Sequence, residues 1–268
     1  MASASSTAPG STRIVAQGVA PLRAGQGYSF ALRRLHSLSG IVPVGAFLFE
    51  HILISNSTAI GPNGPAAYAR QVSFLANLPL VFFLELFGIW LPILFHALYG
   101  FYIWYRGEGN AVSYPWSGNW MYTAQRYTGG IAFAYILWHT YTMRFTGVDL
   151  HDNPMASFGK VQMEVVHTAQ FLFYVVGLVA ASWHFAYGIW LFSAKWGIVS
   201  GDKAQKRLLR VCIVLFMVLC GAGLASLYSF RSHPVAEDEP NRAMLGSDHA
   251  QSNPKAAEQT ASYGRPVQ

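Results

Sequence analysis

Four histidines are distributed one to each of four long apolar stretches of the chain: His51 in FLFEHIL, His96 in ILFHALYG, His139 in ILWHTYT and His184 in SWHFAYGIW. An ionisable side chain inside a membrane helix is costly and is by default a functional hypothesis. One histidine on each of four helices indicates two pairs, and paired imidazoles from facing helices can fill both axial positions of a haem iron. The pattern therefore predicts a membrane electron carrier.

Five stretches of the chain are long and apolar enough to cross a bilayer, which takes about 20 mainly apolar residues. The 268-residue chain is 53% hydrophobic and only 11% charged, whereas a soluble domain carries about 25% charged residues. We therefore predict an all-α, polytopic membrane protein, a five-helix bundle that binds two b haems. The predicted spans are Leu35–Asn56, Leu78–Tyr105, Thr123–Phe145, Val165–Ala194 and Leu208–Phe230.

The remaining segments are predicted to lie outside the bilayer. Residues 1–28 are rich in Ala, Ser and Gly, and we expect them to form a mobile cytoplasmic arm before a membrane domain at 29–230. The polar composition of residues 231–268 is typical of a tail that is disordered or lies on a partner. Residues 55–77 are predicted to form an outer loop, residues 106–122 an inner loop and residues 146–164 another outer segment.

The positive charges separate by membrane side. Four arginines precede the first span, Arg106 and Arg126 flank the loop after the second, and five basic residues follow the fourth. The positive-inside rule then places the N-terminus in the cytoplasm and, after five spans, the C-terminus outside. The net charge of +6 thus indicates membrane topology rather than nucleic-acid binding. No cleavable signal peptide is expected, because no basic segment followed by an apolar stretch opens the chain.

The cysteine content argues against two other redox groups. Cys212 and Cys220 are the only cysteines, and the sequence contains no CxxCH. Neither covalent haem attachment nor an iron–sulfur cluster on this chain is therefore indicated.

Depth in the helices indicates how the histidines pair. With the predicted topology, His51 and His139 lie toward the outer ends of their spans. His96 and His184 lie toward the inner ends of theirs. We expect one pair near each face, so that two haems would carry electrons across the bilayer. The alternative for any single histidine is an ordinary hydrogen-bonded helix residue. His36 is expected at the inner interface, in contact with a partner, a haem propionate or a lipid headgroup.

Two carboxylates lie near the predicted outer face. Glu50 adjoins His51, and Glu85 lies near the outer end of the second span. An ionised carboxylate at that depth is costly unless it is paired or reached by water. Proton handling at an outer quinone site and an ordinary interfacial hydrogen bond both account for such residues.

Long segments of the chain resemble a known family in order. The segment RRLHSLSGIVPVGAFLFEHILISN (33–56) is similar to the first helix of the five-helix, dihaem cytochrome b558 subunit of bacterial succinate dehydrogenases, which are succinate:quinone oxidoreductases. ELFGIWLPILFHALYGFYIWY (85–105), QRYTGGIAFAYILWHTYTMRF (125–145) and HFAYGIWLFSAKWGI (184–198) continue the resemblance. It covers about residues 28–230 and includes all four histidines.

The resemblance implies roles for individual residues. In that family His51 and His139 would ligate a distal, low-potential haem. His96 and His184 would ligate a proximal, high-potential haem. Basic residues near the inner face are then candidates for contact with the proximal propionates or with the partner subunit; they are Arg33, Arg34, Arg126 and Lys195.

The resemblance also implies partners and a location. The chain would anchor a flavoprotein subunit with FAD and an iron–sulfur subunit in the bacterial inner membrane, and the whole complex could form a higher oligomer. Succinate would react on another chain. Electrons would pass from the iron–sulfur subunit through the proximal and then the distal haem to a quinone, typically menaquinone. Related dihaem fumarate reductases carry a proton-carrying glutamate two residues before the fourth ligand. Ser182 stands there in this chain, which favours a dehydrogenase without that proton path.

Two other classes of protein are alternatives. Cytochrome b subunits of hydrogenases or formate dehydrogenases also use histidine pairs, but the LHSL-x-G-x-x-PVG segment argues against them. A haem-free transporter would need charged or broken helices around a midplane site, and the sequence does not show them.

Overall fold

The computed structural model describes residues 24–107 and 112–234, and all regular secondary structure in those two ranges is helical. Four helical stretches there are long and apolar enough to cross a membrane: Ser29–Ala59, Val81–Arg106, Thr168–Lys195 and Asp202–Ser232. They correspond to the first, second, fourth and fifth predicted spans, so the prediction of an all-helical chain with several membrane-length helices is confirmed in this part of the chain.

The predicted arm and tail fall almost entirely outside the described residues. Where they overlap with them, residues 24–28 open the first helix and residues 231–232 close the last one.

The first long stretch is continuous although it contains a proline. It comprises α1 (Ala24–Ile41) and α2 (Pro43–Phe49), and continues as a π-helix at Glu50–Ser55 and a 3₁₀ turn at Asn56–Ala59. Pro43 lacks an N–H, but backbone bonds from Val42 to Leu38 and from Ala46 to Val42 carry the helix past it. The proline therefore leaves one helical hydrogen bond unmade without ending the span.

The next two long stretches each contain a π-helical turn as well. The second contains α4 (Val81–Glu85), a π-helix at Leu86–Trp90 and α5 (Leu91–Arg106). The third contains α6 (Ser117–Thr140) and a π-helix at Tyr141–Phe145. A π turn inserts an extra residue and redirects the side chains that follow, and such turns are frequent at functional sites.

Two short helices occupy connecting segments in which the sequence indicated no helix, the outer loop at 55–77 and the outer segment at 146–164. They are α3 (Gly64–Ala76) and α7 (Ser157–Val166). The buried residues of α3 include Tyr68, and most residues of α7 are buried. Each helix is held by packing against the ends of the long helices. Because such a short amphipathic helix contains no apolar run of membrane length, its sequence resembles that of a loop.

The last two long helices follow a sharp break. His167 has extended backbone, so α7 ends before it and α8 (Thr168–Lys195) begins after it. The fourth span therefore starts at Thr168 rather than at Val165 as predicted. Helix α9 (Asp202–Ser232) returns along α8.

Helix α8 packs most extensively against α6 and α9 and also contacts α1, whereas α5 packs chiefly against α1. One apolar cluster lies where α3, α7 and the end of α9 meet, and it includes Tyr68, Phe158 and Phe230. Large apolar side chains face outward elsewhere, for example Phe87, Leu98 and Val214, each about three-fifths exposed. An outward apolar surface of this kind fits a lipid environment.

Candidate functional site

The structure brings the four histidines together in the two predicted pairs. The ring centroids of His96 and His184 lie 6.1 Å apart, with an angle of 84° between the ring planes. The centroids of His51 and His139 lie 5.8 Å apart, at 61°. Metal–imidazole bonds of about 2 Å on opposite sides of one iron place the two ring centroids about 6 Å apart. Both spacings therefore fit a pair of axial ligands.

The two pairs lie at different levels of the bundle. Gly40 of α1 faces the His96 ring, and His51 follows eleven residues later on the same stretch, about 16 Å away by helical rise. On α6, Gly129 faces the His184 ring and His139 follows ten residues later, about 15 Å away. The two helices thus give the same separation. We call the two regions the His96 end and the His51 end.

Backbone carbonyls fix the ring nitrogens at the His96 end. The Nδ1 atom of His96 donates to the carbonyl of His36 at 2.8 Å, and the Nδ1 atom of His184 donates to the carbonyl of Gln125 at 3.0 Å. Because a carbonyl can only accept, each Nδ1 carries the proton and each Nε2 keeps a free lone pair. Histidines that ligate metals usually have this second hydrogen bond, which sets the tautomer and the ring orientation.

Glycines let the rings of this pair lie against neighbouring helices. A Cβ atom added at Gly40 would collide with the His96 ring. One added at Gly129 would lie 2.8 Å from Cε1 of His184. These glycines are therefore needed for the close approach of ring and backbone.

A third imidazole joins the His96 end. The His36 ring stacks on the His96 ring with centroids 4.1 Å apart and planes 12° from parallel. The sequence predicted only an interfacial role for His36, and no local signal indicates this contact with a helix 60 residues away.

Several buried polar atoms at the His96 end have no hydrogen-bond partner among the described residues. They are Nε of Arg34, Nδ1 of His36 and Oε1 of Gln125. Unpaired buried polar atoms are costly, and they are compatible with a polar ligand such as a haem with its propionates.

The predicted basic residues are distributed around that end. The Arg34 guanidinium lies over the rings of Phe30 and Trp196. The positive charges of Arg33 and Arg34 lie near that of Lys195 and repel it. Arg126 donates through Nη2 to the carbonyls of Trp104 and Gly107, at 2.7 and 3.1 Å, and so caps the end of α5.

Aromatic rings and hydroxyls surround the pair at the His51 end. Phe47 stacks on His51 and Tyr135 stacks on His139, with centroid distances of 5.3 and 5.7 Å. The Tyr174 hydroxyl lies 3.4 Å from Nδ1 of His139. This is a long hydrogen bond, and it is the counterpart of the carbonyl contacts at the His96 end.

The two predicted carboxylates have separate partners. Glu50 accepts a hydrogen bond from the hydroxyl of Ser55 within the π-helical turn that carries His51. Glu85 pairs with Arg144 at 3.2 Å, and Arg144 also lies 3.6 Å from Asp149. Glu85 is therefore paired with the segment that follows His139.

Helix α7 supplies polar groups that the sequence analysis missed. The ammonium of Lys160, 8% exposed, donates to the carbonyls of Met143, Thr146 and Val148 at 2.7–2.8 Å. Burial lowers the pKa of Lys160 from its ordinary value, with attraction from Asp149 opposing the shift. Four residues along the same helix, Glu164 interacts electrostatically with the Tyr174 hydroxyl.

Facing histidine pairs in a bundle of membrane-length helices are typical of membrane cytochromes b. No family model matches the chain. The chain is 33% identical over 204 residues to the succinate dehydrogenase cytochrome b558 subunit of Bacillus subtilis (strain 168), a match that covers 75% of this chain and 96% of that protein. The chain therefore belongs to the family of succinate dehydrogenase cytochrome b558 subunits, which confirms the resemblance found in the sequence.

Proposed function

We propose that this protein is the cytochrome b membrane subunit of a bacterial succinate:quinone oxidoreductase and holds two b haems. His96 and His184 ligate one haem, and His51 and His139 ligate the other. The observation that carries the proposal is the centroid spacing of about 6 Å in each pair, in a chain of the cytochrome b558 family.

The proposal includes five membrane spans, with α6 as the third. Helix α6 continues into the π-helix that ends at Phe145, so the stretch is long enough to cross a bilayer. Its polar residues lower its hydropathy but bond within the protein: Gln125 donates to the carbonyl of His184, and Thr128 donates to that of Ala124. An odd number of spans and the positive-inside rule put the N-terminus in the cytoplasm and the C-terminus outside.

The His96 end then faces the cytoplasm and the partner subunits. We infer an iron–sulfur subunit docked there and a flavoprotein subunit with FAD that carries the succinate site. The positive charges of Arg33, Arg34 and Lys195 lie at this end and suit the propionates or an acidic partner surface. The chain itself contributes electron transfer and a quinone site to the enzyme.

The His51 end faces outward and is the proposed location of the quinone site, with menaquinone as the expected quinone. Glu50 and Glu85 are the proton-handling residues there. When bound, the two b haems supply one-electron transfer between the iron–sulfur subunit and the quinone. The residues of the chain hold the ligand rings through Nδ1, exclude water with aromatic side chains, and present carboxylates to a quinone.

The first test is a haem count with a reduced-minus-oxidised visible spectrum of the complex purified with its partner subunits. We expect two b haems per chain, of which succinate reduces one and dithionite reduces both. One haem would mean that one histidine pair is structural. A preparation with no haem, or one that copurifies with a molybdenum or nickel subunit, would contradict the proposal.

A further inference from the structure

We propose that Tyr174 and Glu164 are positioning residues for His139, and that they set the potential of the haem at the His51 end. The inference rests on the proposed ligand role of His139. It assigns to α7, which lies outside the long helices, a role in tuning the site.

Tyr174 is placed to fix the His139 ring. Its side chain is 3% exposed, and its ring meets the His139 ring edge to face, with centroids 5.8 Å apart and planes 79° apart. Its hydroxyl lies 3.4 Å from Nδ1 of His139 and 3.5 Å from the hydroxyl of Thr142. In the pair of His96 and His184, backbone carbonyls make the contact with Nδ1 that the Tyr174 hydroxyl makes with His139.

Glu164 is placed to polarise that hydroxyl. The carboxylate interacts with the Tyr174 hydroxyl, and its Oε2 atom is buried without a hydrogen-bond partner among the described residues. A buried carboxylate oxygen with no donor is costly, and a rotation of the Tyr174 O–H toward Glu164 would satisfy it.

Helix α7 is fixed at both sides of this contact. Lys160, one turn before Glu164, binds three carbonyls of the segment that follows His139. Gln162 donates to the carbonyl of His233 at the end of α9, at 2.8 Å. The carboxylate is therefore held by a rigid helix that is tied to the same segment as the histidine.

The direction of the hydrogen bonds follows from the ligand role. If Nε2 of His139 binds the iron, Nδ1 carries a proton and donates to the Tyr174 oxygen. The Tyr174 O–H is then left to turn toward Glu164, whose Oε2 atom has no donor in the described part of the chain. A histidine that donates toward a carboxylate is a more basic ligand, and it stabilises the ferric state, which lowers the potential of that haem.

The experiment compares Tyr174→Phe and Glu164→Gln with Tyr135→Phe in the full complex. Tyr135 also stacks on His139, but the structure gives its hydroxyl no hydrogen bond to the histidine, so Tyr135→Phe controls for loss of a hydroxyl near the ring. We expect two haems per chain in all three variants. Potentiometric titration should show one midpoint potential raised in Tyr174→Phe, raised less in Glu164→Gln and unchanged in Tyr135→Phe, with the second haem unaffected.

Unchanged potentials in both Tyr174→Phe and Glu164→Gln would overturn the inference, as would an equal shift in Tyr135→Phe. If Tyr174→Phe does not assemble, Glu164→Gln decides alone, because Glu164 does not touch the histidine. Failure of the proposed function has a different signature, since the unmodified complex would then contain fewer than two haems.

Discussion

Gln125 and His184 exchange two hydrogen bonds across the interface of α6 and α8. The Nδ1 atom of His184 donates to the backbone carbonyl of Gln125 at 3.0 Å, and the Gln125 side-chain amide donates to the backbone carbonyl of His184 at 2.9 Å. One contact orients the ring and the other ties the two helices together. The two functions can therefore be separated by mutation.

Gln125→Leu removes the side-chain donor but leaves the backbone carbonyl that accepts from His184. We expect the haem to be retained and the free energy of unfolding to fall by about 1 kcal/mol, the usual net value of one hydrogen bond. Denaturation in detergent with a haem count measures both. Gln170→Leu on α8, where the structure gives the amide no hydrogen bond, is the matched control. Loss of haem from Gln125→Leu alone would show that the amide also holds the ring.

Gly129→Ala tests the close approach of α6 to the ligand ring. The added Cβ lies 2.8 Å from Cε1 of His184, so the ring must move, which disturbs its hydrogen bond to the Gln125 carbonyl. We expect the variant to lose the haem of that pair, measured as haem per chain. Gly118→Ala lies on the same helix with nothing within 4 Å of the new Cβ. Both substitutions favour helix by about 1 kcal/mol, so equal haem contents would contradict the steric argument.

The helix pairing of the histidines could be predicted from sequence because it depends on position along a span. His51 and His139 lie toward the ends of stretches that run in one direction, and alternation of direction brings them to one level. The same reasoning could not find the contact of His36 with His96, because it depends on how two helices rotate about their axes.

The short helices could not be predicted for a different reason. Helix α7 is stabilised by tertiary contacts of Lys160, Gln162 and its buried apolar residues, not by a long apolar run. The hydrogen-bond partner of His139 could therefore not be predicted, because nothing in the sequence distinguishes Tyr174 from the other aromatic residues of its apolar span.

Replacing one histidine of each pair tests the ligand sets. His96→Leu should reduce the haem count from two to one per chain and remove the haem that succinate reduces. His51→Leu should remove the other haem. His151→Leu, at an exposed loop position, should keep both. Since a missing axial ligand leaves the iron with one protein bond, retention of both haems in either ligand variant would refute that pairing.

Lys160→Met tests the anchoring of α7. The methionine fills a similar volume but leaves the carbonyls of Met143, Thr146 and Val148 without their shared donor. Hydrogen bonds to a charged group are worth about 1.5–3 kcal/mol each, and because one ammonium serves all three carbonyls we expect a total loss of about 3 kcal/mol. Thermal unfolding of the complex measures the loss. Lys203→Met, at an exposed position of α9, should change little, and an equal effect of the two would contradict the buried role.

Glu85→Gln and Arg144→Gln together separate proton handling from ion pairing. The pair is 3.2 Å apart and its side chains are 30% and 39% exposed, so solvent screening limits its worth to about 0–1 kcal/mol. We therefore expect both variants to fold with two haems. If Glu85 handles protons at the quinone site, Glu85→Gln lowers succinate:quinone reductase activity by at least tenfold, whereas Arg144→Gln lowers it far less. Succinate oxidation with an artificial electron acceptor, which bypasses the quinone site, stays unchanged in both variants. Equal losses in the two variants would mean that the ion pair acts as a structural tie between α4 and the segment after His139, because in quinone reduction only the carboxyl group, and not the arginine, can pass a proton to the quinone.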